Sequence, residues 1–162
     1  MFYRVIASTV VSLSVVLCLA LVASAEEIVG PNSAHRTESV VFASVEGNAT
    51  VLSTHLASGK PGHVLVVHVS VQDDGYGYRK QRFYFFPTLN GYTMPGGGVA
   101  YVNDDSKNGF GSSSGTWFVD LDSWGMATLP LNIDVIGGTV YPYKDDASRT
   151  AYVTISAVLQ PK

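Results

Sequence analysis

Tyr152-Val153-Thr154-Ile155-Ser156-Ala157-Val158-Leu159 alternates in character at each residue as far as Ala157. Val153, Ile155, Ala157 and Leu159 fall on one side of an extended chain, and Tyr152, Thr154 and Ser156 fall on the other. Side chains alternate across a strand with a period of two, so this pattern predicts a strand with one face in a core and one in water. The same reading extends to Thr116–Leu121, where Trp117, Val119 and Leu121 face inward, and to Ala127–Val135. In the latter, Ala127, Leu129, Leu131, Ile133 and Val135 form the inward set. Pro130 cannot donate to a ladder, which predicts an edge strand or a bulge there.

Further runs have the same grammar. Val40–Val45, Thr50–Leu56, Val64–Val71, Gln81–Phe86, Val99–Val102 and Thr139–Tyr143 are rich in β-branched and aromatic residues. Val64–Val71 is β-branched on both faces and reads as a central strand. Turn chemistry separates the runs, as in Glu46-Gly47-Asn48, Ser58–Gly62, Asp73-Asp74-Gly75 and Gly137-Gly138. Asn90–Gly115 reads mostly as loop. Beyond residue 25 no run sustains helical spacing of apolar residues. The expectation is an all-β chain, an antiparallel β-sandwich or jelly roll of eight or nine short strands.

The start of the chain belongs to a different class. Arg4 precedes an apolar run from Val5 to Val22, and Ala23-Ser24-Ala25 matches a small-x-small cleavage pattern before Glu26-Glu27. Residues 1–25 therefore read as a cleaved signal peptide. The rival, a membrane anchor, has only Arg4 as a basic flank, and Ser8, Thr9, Ser12 and Ser14 dilute its run. Leu17 before Cys18 is too large for a lipoprotein signal. The expected organisation is thus a signal peptide, a flexible polar arm over 26–38, and one β-sandwich domain over 39–162, with no integral membrane segment after cleavage. The protein is expected outside the cytoplasm, secreted, periplasmic or extracellular.

Cys18 is the sole cysteine, so a chain starting at Glu26 has none, and its core must stand without disulfides. Removing residues 1–25 takes away only Arg4, leaving nine basic residues against thirteen acids. That balance excludes nucleic acid binding by bulk charge, which needs a positive surface.

No motif passes its own context test for catalysis. Gly111-Ser112-Ser113-Ser114-Gly115 has the spacing of a nucleophile elbow, but that device needs a strand turning into a helix. The histidines at 35, 55, 63 and 68 have no zinc-ligand spacing. Asp104, Ser106 and Asn108, followed by Gly109, resemble the first half of a calcium loop, and calcium is the metal they would take. Asp73-Asp74, Asp120-x-Asp122 and Asp145-Asp146 are further carboxylate sources. Asn48-Ala49-Thr50 is a formal glycan acceptor in a host that glycosylates exported proteins.

Aromatic residues carry the functional reading. Phe83-Tyr84-Phe85-Phe86 cannot turn every ring to one core, and Arg79-Lys80-Gln81-Arg82 leads into it. Tyr76, Tyr78, Arg79, Arg82, Tyr84 and Tyr92 form the expected ligand-binding set, since exposed rings with polar tips stack on sugars or anchor protein partners. The expected function is an exported, non-catalytic recognition or adhesion module for a glycan or protein. Two alternatives are an envelope or matrix protein that forms homo-oligomers through the same face, and a small secreted hydrolase using loop aspartates.

Overall fold

The alternation at 152–159 lies in the middle of a sheet. The computed structural model describes residues 26–41, 48–73, 82–102, 112–139 and 150–162. These form ten strands and no helix: β1 (Glu26–Val29), β2 (Ser33–Val41), β3 (Ala49–Leu56), β4 (His63–Asp73), β5 (Arg82–Leu89), β6 (Tyr92–Thr93), β7 (Val99–Val102), β8 (Ser112–Asp120), β9 (Leu131–Thr139) and β10 (Thr150–Pro161).

Every pairing is antiparallel. Sheet one has the order β1-β2-β10-β4-β8; sheet two has the order β3-β9-β5-β6, with β7 also on β5. The pairings are nested: β2 with β10, β3 with β9, β4 with β8 and β5 with β7. The early half of the chain therefore runs against the late half like a long ribbon, folded so that successive pairs fall in alternate sheets.

The two sheets share one core. Leu65, Val67, Val69 and Val71 of β4 and Val153, Ile155 and Ala157 of β10 are fully buried from sheet one. Phe85 and Leu89 of β5 with Ile133 and Val135 of β9 meet them from sheet two. Across the gap, the Phe85 and Trp117 rings contact edge to face, centroids 6.4 Å apart. Trp117 satisfies its indole N–H on the Gly97 carbonyl at 2.9 Å. Its ring occupies the space a side chain at residue 115 would need, since a Cβ on Gly115 would sit 2.4 Å from Trp117 and 2.6 Å from Val99.

Several expectations are corrected. The arm over 26–38 is strand: β1 and β2 turn at Gly30–Asn32, where the Gly30 N–H donates to the Ser33 carbonyl at 2.6 Å, and β2 pairs with β10 at nine positions. Its polar composition reflects an outward face of Ser and Thr. Val40–Val41 belong to β2, and 42–45 lie outside the described residues. Ser112–Gly115, expected in a loop, open β8; Ser113 sits within a strand that no helix follows. The Gly137-Gly138 turn is instead the end of β9, where the glycines pair with Phe85 and Tyr84 and give their strand room. Residues 140–149, with most of the expected 139–143 strand, lie outside the described residues. Leu129, expected inward, is 46% exposed because β9 begins only at Leu131, just after Pro130. The one ladder irregularity of sheet two is in β3, between Thr50 and Leu52.

Pro87 sits inside β5 without harm. Its carbonyl accepts the Met94 N–H at 3.1 Å, so its nitrogen faces the same edge, where β7 has already ended at Phe85.

A polar clasp closes one end of sheet one. The Lys162 ammonium lies 2.5 Å from Asp120 and 2.8 Å from Asp122, and the Gly62 N–H donates to Asp122 at 2.9 Å. The Lys162 bond holds the Asp120 carboxyl down at about 2, below its ordinary 3.8, and lowers Asp122 as well. The same two bonds raise Lys162 above its ordinary 10.5. The depressed Asp120 carboxylate contributes fully above pH 3.8 and loses its contribution as pH falls through about 2, and Asp122 acts in the same direction. The raised amine contributes fully below pH 10.5 and loses its contribution as pH rises past its elevated value.

Two outcomes follow. Ile155→Ala lowers the unfolding free energy by about 2–5 kcal/mol in urea titrations, the range for emptying a packed aliphatic site. Lys162→Met lowers the melting midpoint throughout the neutral range. That difference from the parent protein closes as acid is added toward pH 2, when thermal melts are repeated across a pH series.

Candidate functional site

The outer face of sheet two gathers polar and aromatic side chains from four strands. Phe85, Pro87 and Leu89 are buried, which turns Tyr84 and Phe86 outward as half-buried rings and puts Thr88 on the same side, itself buried. The Tyr84 and Phe86 rings lie nearly parallel, 13° apart with centroids at 6.4 Å. The Tyr84 hydroxyl donates to the Asn48 side-chain oxygen, which fixes one end of this pair.

Register carries the face across the sheet. Thr88 pairs with Asp134 of β9, and Asp134 pairs with Ser53 of β3. Ser53 donates its hydroxyl to Asp134 at 2.6 Å. Asn132 and His55 form the neighbouring pair on the same face. Arg36 reaches over from β2, donating to the Ser53 carbonyl at 2.8 Å and to Glu38 at 3.1 Å. Its Nε is buried without a partner among the described residues.

Two shallow depressions meet on this face. One, of about 300 Å³, is lined by Arg36, Ser53, Thr54, His55, Asn132 and Asp134. The other, of about 450 Å³, adds Asn90, Gly91, Leu129 and Pro130 to the shared Asn132 and Asp134. Together they make an open groove rich in donors and acceptors, beside a two-ring apolar platform. Adjacent outward residues on a strand are roughly 7 Å apart, so the Phe86 ring and the Asp134 carboxylate are within the span of one or two sugar rings.

Asn90 builds the far wall. It sits at φ 49° and Gly91 at φ 84°, the paired left-handed geometry of a two-residue hairpin between Leu89 and Tyr92. Its N–H donates to the Asn132 carbonyl at 2.8 Å, and its side-chain oxygen accepts the Asn132 N–H at 2.8 Å. Its amide nitrogen donates to the Pro130 carbonyl at 3.0 Å. The Asn-Gly pair between two apolar residues is the sequence signal for this hairpin, and the loop expectation for 90–115 missed it.

The expected ligand set is distributed as follows. Tyr84 lies on the platform. Tyr92 is 66% exposed on β6, but it pairs with inward-facing Leu89, so alternation puts it on the other side from Tyr84. Arg82 opens β5 opposite Val102. Tyr76, Tyr78 and Arg79 lie outside the described residues, as do Asp104, Ser106 and Asn108 of the expected calcium loop. Asp120 and Asp122, read as further carboxylate sources, are engaged by Lys162. Among the described residues, no three His, Cys, Asp or Glu side chains gather in a way that would hold a metal ion. Arg36, Ser53, Asn132 and Asp134 were not singled out from sequence, because strand register brings the last three together and the approach of β2 to β3 adds Arg36.

No protein-family model and no curated protein matches the chain. Among the described residues, no helix is long and apolar enough to cross a membrane.

Replacing Asp134 by Ala leaves the Ser53 hydroxyl without its acceptor on a half-buried face. A loss of about 1 kcal/mol is expected by chemical denaturation, the size of one net hydrogen bond, with the fold retained by circular dichroism.

Proposed function

We propose that this is an exported, non-catalytic recognition module, a β-sandwich of jelly-roll type that binds a glycan on the outer face of sheet two. The nested strand pairing and the core shared by two antiparallel sheets support the jelly-roll reading. The pattern of residues 1–25 supports export.

The observation that carries the ligand class is the platform of Tyr84 and Phe86 beside the groove of Arg36, Asn132 and Asp134. A sugar ring has an apolar C–H face and an equatorial rim of hydroxyls. Flat aromatic rings accept the first, and carboxylate, amide and guanidinium groups bond the second. The ionisable groups partly cancel, with Arg36 bonded to Glu38 and Asp134 nearby. That balance favours an uncharged sugar over a polyanion, which needs excess positive charge.

A glycan array probed with the purified protein tests this, in calcium and again in EDTA. Binding that survives EDTA and falls at least tenfold in Asp134→Ala and in Phe86→Ala supports the groove, tenfold being about 1.4 kcal/mol. Calcium-dependent binding untouched by either change moves the site to Asp104–Asn108. An array without any signal removes the glycan reading, leaving protein recognition or self-assembly.

A further inference from the structure

The outer face of sheet one, across the core from that groove, is of a different kind. Four successive rows of the pairing register across β2, β10, β4 and β8 hold sixteen outward positions, and the next row, Gln160, Val64 and Asp120, ends at the Lys162 clasp. One row is Thr37, Thr154, Ser70 and Ser114. Nine of the sixteen are Ser or Thr, and none is Asp, Glu, Lys or Arg. A soluble surface with the usual quarter to a third of charged positions would hold about four or five here.

The hydroxyls are partly ordered in advance. Thr37 and Thr154 share a hydrogen bond at 2.9 Å, and His68 Nδ1 shares one with the Thr116 hydroxyl at 2.9 Å. Short side chains of this kind lose little rotamer freedom when a partner arrives. Two rings flank the array, Tyr152 at 48% and Phe118 at 59% exposure. Exposed aromatic side chains combined with serine and threonine are the chemistry of adaptable recognition surfaces.

Charge and area select the occupant. A polyanion finds no lysine or arginine on these sixteen positions, and a charged protein finds no carboxylate there. With strands spaced 4.7–4.9 Å and a rise near 3.3 Å per residue, the array measures roughly 14 by 20 Å. That is well short of the ~800 Å² per partner of a standard stable protein pair. An immobile, uncharged, hydroxyl-rich polymer needs less from each contact, because many repeating units are offered at once. We infer that the outer face of sheet one docks flat on a solid neutral polysaccharide, independently of the ligand bound by sheet two.

Co-sedimentation tests this with the purified protein on microcrystalline cellulose, chitin and insoluble β-1,3-glucan, at low and at half-molar salt. The expected result is enrichment in the pellet with at least one polymer, changed less than twofold by salt because no ion pair is involved. Thr154→Lys combined with Ser70→Lys cuts the pelleted fraction at least tenfold, whereas Thr154→Ser retains it. The lysine pair leaves the soluble-glycan response of sheet two intact, so the two sites fail separately. Should that variant not fold, Tyr152→Ala with Phe118→Ala serves in its place with the same expected loss. Absence from every pellet overturns the inference, as does binding abolished by salt or unaffected by these changes. A concentration-dependent dimer, seen by sedimentation velocity and lost in the lysine pair, also overturns it and assigns the face to self-association.

Discussion

The insertion of β10 between β2 and β4 is the constraint on which everything else rests. This one strand contributes five buried side chains in alternation and pairs with β4 at eleven positions and with β2 at nine. Without it, the β1–β2 hairpin has no neighbour in sheet one, and β4 loses the ladder along one of its edges. No disulfide can substitute, because residues 26–162 contain no cysteine. Stability therefore comes from apolar burial and ladder hydrogen bonds, about 1.5–3 kcal/mol for each large aliphatic or aromatic side chain removed from water.

Where alternation is strict, the strands were legible. Leu65–Val71, Trp117–Leu121 and Val153–Leu159 bury the residues that their patterns turn inward. Reading failed where a strand's outward face is polar and its inward face is weakly apolar. Over Ser33–Ser39 of β2, Ala34 is the one buried apolar residue, so the start of that strand looks like an arm. Glycine misled in the opposite sense: Gly137 and Gly138 signal a turn by composition, yet in β9 they are the narrow positions beside two aromatic residues. The site was legible only in part. Tyr84 is visible as one ring of an aromatic run, whereas Arg36, Ser53 and Asp134 are single polar residues on three strands distant in sequence. Register joins Ser53 to Asp134, and Arg36 reaches them from the other sheet.

The two outer faces divide the chemistry of the molecule. Sheet two presents ionisable groups, an open groove and a parallel ring pair; sheet one presents neutral hydroxyls on a flat array. Such a division arises easily in a two-layer fold, since each strand assigns every second residue to the core and leaves the rest free to differ between layers. The polar clasp at Lys162 belongs to neither face. It ties β10 to the end of β8 and to the turn before β4, so the carboxylates of Asp120 and Asp122 serve architecture.

The position of β10 in the sheet also bears on how the chain must fold. The centre of sheet one is drawn from residues 150–161, while its two neighbours are drawn from 33–41 and 63–73. Thr37 and Thr154 bond across 117 residues of sequence. The entropy of closing so long a loop has to be met before its contacts reward it, so ladders of this kind form slowly. Until they do, β2 and β4 each present an open edge, and the keystone of the sheet is also its most distant contact.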